Sequence, residues 1–263
     1  MRALQTAATG MMAQELNVQV ISNNIANLST NGYKRQGAQF QDLLYDNLKR
    51  PGSATSEQGN MMPAGLSLGS GVKTVSTPRN MSQGTLTSTE KTYDLAVRGE
   101  GFFKIRMPDG TAAYTRDGSF DLDANGQLVN QNGYVVEPGV TVPTNATGVT
   151  ISAQGLVQAT IPGQTAQQNL GTITMTRFIN KTGLNSIGDN LYTETAASGQ
   201  AIDGTPSSDG FGNIQQSYLE GANVNAVTEI SSLIAAQRAY EMNSKVVTAA
   251  DQMLSTTSQM FRS

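Results

Sequence analysis

Residues 4–28 read LQTAATGMMAQELNVQVISNNIANL, and the spacing within that stretch sets the fold. Leu4, Met11, Val18 and Ile25 fall seven apart, and Ala7, Gln14, Ile21 and Leu28 interleave three residues later. All of these are apolar except Gln14. A 3.5-residue apolar repeat marks a helix that buries a narrow seam against other helices. The far end of the chain repeats the pattern. Leu233, Tyr240, Val247, Leu254 and Phe261 again fall seven apart, and Ala236, Ala239, Val246, Ala250, Met253 and Met260 widen the stripe. The middle carries no such repeat. The sequence therefore predicts two terminal helices whose ends meet in an assembly. Pairing inside one monomer is the other reading of the same stripes. A lone two-helix pair buries little area and is marginal without partners.

The first helix is predicted over residues 3–28, roughly 39 Å at 1.5 Å per residue. Glu15 is its one charged residue, and the rest of its surface is Asn, Gln, Ser and Thr. An exposed helix face is normally rich in Lys and Glu, so this one suits contact on several sides. Ser29-Thr30-Asn31-Gly32 reads as a stop, with Gly32 fitted to a left-handed C′ position. The last helix is predicted to start near Val224 or Asn225, with Asn225 as N-cap and Glu229 in the first turn. It would run to residue 261, roughly 55 Å. Glu241 and Lys245 form an i,i+4 pair in the favourable orientation.

Between the helices, Phe40, Leu43, Leu44 and Leu48 fit either a short helical turn or an extended segment. Residues 51–71 are rich in Gly, Ser and Pro and read as a loop or extended arm. From Val72 to Ile214, short apolar runs alternate with turn residues. Candidate strands are Val72–Ser76, Leu95–Arg98, Phe102–Met107, Ala112–Arg116, Gln127–Asn130, Val149–Ser152, Leu156–Thr160 and Thr172–Phe178. Pro108-Asp109-Gly110, Asp117-Gly118, Asn125-Gly126, Asn132-Gly133 and Pro162-Gly163 supply the turns. That spacing fits an all-β sandwich or partly open barrel. The fold class is α+β: a helical layer from residues 1–32 and 223–263, connecting regions at 33–94 and 203–222, and a central β domain at 95–202.

Composition excludes much. Net charge is -3 and charged residues make up 14%, so nucleic acid is not an expected partner. No run of eighteen apolar residues spans a membrane, and the first residues lack the apolar core of a Sec signal. Read alone, that start implies the cytoplasm. The chain contains no Cys and no His. Zinc sites built on those residues, Cys–His pairs and Ser–His–acid triads are all excluded. Gly65-Leu66-Ser67-Leu68-Gly69 matches the nucleophile-elbow pattern, which would make Ser67 the centre of a secreted hydrolase, but no base stands ready for it. Asp121-Leu122-Asp123-Ala124-Asn125-Gly126 resembles half an EF-hand loop, yet Asn132 occupies the position of the bidentate Glu. A hairpin turn explains the same residues. Gly99-Glu100-Gly101 lacks the context of a phosphate loop and fits a tight bend into a strand. No catalytic, cofactor-binding or metal-ligating residue is assigned.

Three stretches carry a family resemblance. Ala7-Ala8-Thr9-Gly10-Met11-Met12-Ala13-Gln14, continuing through Asn17–Asn27 to Asn31-Gly32-Tyr33-Lys34-Arg35, resembles the N-terminal signature of bacterial flagellar rod and hook proteins. Asn223-Val224-Asn225, then Ala235-Ala236-Gln237-Arg238-Ala239-Tyr240-Glu241, then Asp251-Gln252-Met253-Leu254 resemble the C-terminal one. Tyr93–Phe103 and Tyr114–Phe120 resemble their middle region. Gln41-Asp42-Leu43-Leu44-Tyr45, followed by the stretch at 46–71, resembles the distal-rod branch; proximal-rod and hook members are the alternatives. The resemblance implies a non-enzymatic subunit that polymerises into a straight tube around an export channel, with the terminal helices as the subunit interface. It implies that the stretch containing Pro51, Gly52, Gly59, Pro63, Gly65 and Gly69 stiffens the polymer. Implied partners are further copies of the chain, proximal-rod proteins, hook protein, a rod cap, the peptidoglycan and outer-membrane rings, and the type III export apparatus. Export by that route replaces the cytoplasmic reading.

Overall fold

A computed structural model describes residues 2–49, 51, 64–164 and 166–260. They fall into two compact units. A helical unit comprises Met1–Ile25, Gln36–Pro78 and Asn225–Ser263, and a β unit comprises Ala26–Arg35 and Arg79–Val224.

In the helical unit, α1 spans Arg2–Ala26 and α2 spans Ala226–Met260. At 1.5 Å per residue they are roughly 38 and 53 Å long. Asn225 caps α2 as expected: its side-chain oxygen accepts the Thr228 N–H at 3.1 Å. The first helix stops two residues short of its predicted end, so Leu28 lies beyond it. Gly32 has the expected left-handed backbone, φ 67°, but a turn closed by the Thr30 N–H on the Asn27 carbonyl separates it from the helix. Its missing side chain serves close approach instead, since a Cβ there would stand 2.6 Å from the Asp117 backbone nitrogen.

Two contacts set the helix pair. The Asn24 amide donates to the buried Glu229 carboxylate at 3.1 Å. Gly10 lies against Asn243, where a Cβ would come 2.9 Å from the amide nitrogen. Residues 10 and 24 are as far apart as 229 and 243, and the order reverses, so the helices run antiparallel in constant register. That register brings the start of α1 level with about residue 251 of α2. Residues 251–260 continue past it, and every one of them is exposed.

Four strands complete this unit: β1 (Gln39–Asp42), β2 (Tyr45–Lys49), β3 (Leu66–Gly69) and β4 (Val72–Ser76). They pair β1 with β4 and β2 with β3, both antiparallel. Of the two readings left open for residues 40–48, the extended one holds. Ser67 sits inside β3 opposite Asn47, with no helix following, so the strand–turn–helix setting of a nucleophile elbow is missing.

The β unit is organised around Phe102–Arg106, whose two faces are both covered. Phe103 and Ile105 enter one core with Leu95, Val97, Phe120, Ile173, Met175 and Ile214. Phe102 enters a second core with Tyr114, Phe178, Leu184 and Tyr192. The period-2 alternation of a strand produces this split. A nine-stranded antiparallel sheet carries both cores, and a three-stranded sheet (Gly148–Ile151, Leu156–Thr160, Gln168–Thr172) lies beside it in the chain order. The predicted strand at 172–178 divides in two. Gln168–Thr172 and Met175–Arg177 belong to different sheets, and the fully buried Ile173 marks the crossing. The Asn125-Gly126 turn closes the hairpin between Asp121–Leu122 and Leu128–Val129. Asp123 accepts the backbone N–H groups of Asn125 and Gln127 within it, and the Gln127 bond foremost holds its carboxyl below the usual range.

Three segments distant in sequence meet on a buried carboxylate. Lys34 Nζ donates to Glu220 Oε1 at 2.6 Å, and Arg116 reaches Glu220 Oε2 at 3.2 Å. The Gly84 N–H also donates to Glu220. Lys34 further donates to the Ser82 carbonyl and Arg116 to the Gly99 carbonyl, while the guanidinium lies over the Phe102 ring. Burial pushes the Lys34 ammonium below its usual range, and Glu220 pulls it back up. Nearby, Asn223 accepts the Arg35 N–H at 2.7 Å and donates to the Asn80 carbonyl at 2.8 Å. The Asn80 N–H donates to the Arg35 carbonyl, so three of the points where chain enters or leaves this unit are tied together.

Candidate assembly surface

The helical unit buries little. On α1 the buried residues are Ala7, Ala13, Val20, Ile21 and Asn24, and on α2 they are Glu229, Ala236 and Ala250. Small side chains let the two backbones approach but supply little apolar area. The large apolar side chains of α2 stay outside. Val227, Ile230, Ile234, Tyr240, Met242, Val246, Met253, Leu254 and Met260 are all exposed, Met253 by 64% and Leu254 by 44%. Leu44, Tyr45, Leu48, Leu66 and Leu68 on and beside β2 and β3 are exposed as well, Leu44 by 88%. Such a concentration of exposed apolar surface marks an interaction surface.

The predicted seam is unevenly placed. On α1, Ala7 and Ile21 are buried, while Leu4, Met11, Gln14, Val18 and Ile25 are half-buried; Leu28, beyond its end, is exposed. On α2, Leu233 and Val247 are half-buried, and Tyr240 and Leu254 are exposed; Phe261 lies outside the described residues. The most deeply buried stripe of α2 is another one, Glu229, Ala236 and Ala250, with Asn243 aligned on it against Gly10. Sequence reading placed Ala236 and Ala250 in the widened apolar stripe but passed over Asn243 and the inward placement of Glu229, because both are polar. The seven-residue spacing of Glu229, Ala236, Asn243 and Ala250 was the available signal. In the Gly- and Pro-rich stretch, Pro51, Gly65 and Gly69 are exposed, and Gly52, Gly59 and Pro63 lie outside the described residues. Gly65 is needed for close approach: a Cβ there would lie 2.6 Å from the Lys49 carbonyl oxygen.

Two hollows accompany these helices. A cleft of about 560 Å³ is lined by Arg2, Thr6, Asp46, Leu68, Asn243 and Val246, with Arg2 and Asp46 in a 2.6 Å ion pair. A groove of about 430 Å³ between α1 and α2 is lined by Glu15, Val18, Gln19, Gln237, Tyr240 and Glu241. Among the described residues no group of three or more acidic side chains gathers as a metal site would require. No described helix is long and apolar enough to cross a membrane. The surface can exclude water from apolar contacts.

Three family models match the chain. One described as "Flagella basal body rod protein" matches residues 4–34, one described as "Flagellar hook protein FlgE/F/G D1 domain" matches 96–159, and one described as "Flagellar basal body rod FlgEFG protein C-terminal" matches 215–260. Among curated relatives, the flagellar basal-body rod protein FlgG of Caulobacter vibrioides is 54% identical over 99% of both chains. The FlgG of Borreliella burgdorferi is 46% identical over 97% of this chain and 96% of its own length. That of Bacillus subtilis is 35% identical over 97% of each.

Proposed function

Since this chain belongs to the flagellar basal-body rod protein family, a component of the flagellar basal body, we propose that it is the subunit of the distal rod. In this reading the chain polymerises into a straight helical tube that transmits torque to the hook and encloses the export channel. The terminal helices pair further, as a coiled-coil inner layer. The observation that carries the reading is the exposed apolar surface of α2 and the β2–β3 ribbon, on a chain whose β unit has its own closed cores. A heterologous contact that does not close generates such a filament. The partners are further copies, proximal-rod and hook proteins, a rod cap, the surrounding rings and the type III export apparatus. The segment 46–71 stiffens the polymer.

Electron cryo-microscopy of isolated basal bodies tests the assignment, with this chain expected in the rod segment next to the hook. Density in the proximal rod or in the hook would refute it. Removing residues 52–63 should give a curved polymer, and a straight one would refute the stiffening role.

A further inference from the structure

We propose that Asn132 is a modification site, at which water converts the side-chain amide into a carboxylate after attack by the Gly133 backbone nitrogen. Asn-Gly is the dipeptide in which that attack is least hindered, because glycine carries no Cβ beside the nitrogen. The chain holds three such pairs, Asn31-Gly32, Asn125-Gly126 and Asn132-Gly133, all in the β unit. In each, the glycine N–H donates to a backbone carbonyl: that of Glu220 at 2.7 Å, of Asp123 at 3.0 Å and of Asn130 at 2.9 Å. A nitrogen tied in this way cannot reach the side chain, so the reaction waits on local opening. The turns at 123–127 and 130–134 are a matched pair. In both, the first residue's side-chain oxygen accepts the N–H groups two and four residues on. Each asparagine amide also donates to a carboxylate, Asn125 to Asp123 at 3.2 Å and Asn132 to Asp189 at 3.1 Å. What differs is the surroundings. Gly126 is buried, its carbonyl accepts the Val142 N–H at 2.7 Å, and a Cβ there would lie 2.2 Å from the Val142 carbonyl oxygen. Gly32 is buried against Asp117 in the same way. Asn132 and Gly133 are both exposed, and nothing lies within 4 Å of the Gly133 Cβ position. Asn132 is thus the pair whose turn opens without displacing a neighbour.

The step balances with water alone. The Gly133 nitrogen bonds to Asn132 Cγ, the Cγ–Nδ2 bond breaks, and ammonia leaves carrying the proton of that nitrogen. Water then adds to either carbonyl of the five-membered succinimide and opens it, to aspartate or to isoaspartate. Each converted copy gains one negative charge on a chain whose net charge is -3. The new carboxylate stands where the amide donated to Asp189, so a hydrogen bond is replaced by two like charges face to face. Asp189 and Asn190, with φ of 52° and 58°, form the turn between the strands Asn185–Gly188 and Leu191–Thr193. Conversion unties the Asp189 side of that hairpin tip. Asn190 keeps its own bond, donated to the Asn31 carbonyl at 3.0 Å.

Peptide mapping by mass spectrometry of the folded full chain, held at mildly alkaline pH, tests the site. Asn132 should convert several-fold faster than Asn125 and Asn31, with both aspartate and isoaspartate as products. In denaturant the three should convert at similar rates, because the neighbours that hold Gly32 and Gly126 are gone. A folded chain in which Asn125 or Asn31 converts as fast as Asn132, or in which Asn132 does not convert before the chain unfolds, would overturn the assignment. The variant Asn132→Gln should fold normally and lose the mass change at that position, since its longer side chain closes a ring far more slowly. A mass change that persists there would overturn the route through Gly133. The variant Asn132→Asp stands in for the product. Hydrogen exchange across residues 185–193 should quicken several-fold in it while residues 102–106 stay unchanged, and an unaltered hairpin would overturn the loosening.

Discussion

The β unit and the helical unit solve the same problem in opposite ways. The β unit places Phe103, Ile105, Leu95 and Ile173 wholly out of water and covers both faces of its central strand. The helical unit buries mainly Ala, Asn and Glu, with Val20 and Ile21 the large apolar exceptions, and leaves most of the large apolar side chains of α2 outside. Burying a large apolar side chain stabilises by about 1.5–3 kcal/mol. One unit takes that gain on folding; the other, in the reading proposed above, defers it to assembly. The difference teaches that a weak core can be a specification, because a helix pair satisfied by itself would have no reason to polymerise.

Substitutions can break or sharpen this contrast. Phe103→Ala should destabilise the β unit by about 3–5 kcal/mol through transfer and cavity terms, read by chemical denaturation. A loss below 1 kcal/mol would mean that this core is not closed. Lys34→Met should cost about 3 kcal/mol in the same assay, because it strips a partner from the buried Glu220 carboxylate. Asn225→Ala should lower the stability of the helical unit by about 1 kcal/mol, measured as helicity lost on mild heating, by removing the α2 cap. Leu254→Ala should change monomer stability by less than about 0.5 kcal/mol, as an exposed position does, yet weaken polymerisation. Equal losses in monomer and polymer would erase the contrast. The smallest effect concerns pH. Asp123 has its carboxyl lowered by backbone hydrogen bonds, so its contribution is present above its ordinary value of 3.8 and is lost as pH falls through the lower folded value. Asp123→Asn should flatten that acid limb of the stability profile.

Much of this was legible in the sequence. Val72–Ser76, Leu95–Arg98 and Leu156–Thr160 match the expected strands because alternation and turn residues bound them on both sides. The α2 cap was legible because capping is local. Other features depend on distant partners. The strand Leu66–Gly69 was hidden among glycines and serines, since its partner Tyr45–Lys49 decides its conformation. The Lys34–Arg116–Glu220 cluster joins segments with no shared pattern, so no periodicity could announce it. On α2 the apolar heptad drew attention away from the polar stripe that the neighbouring helix covers. The heptad states what seeks burial; the structure states what this single chain has already buried.

The hydrogen-bonded knot of Arg35, Asn80 and Asn223 has a consequence for how the chain can be re-engineered. It makes the β unit a cassette with a fixed collar. A body of different size, spliced in behind the same three residues, would leave the collar's hydrogen bonds unchanged.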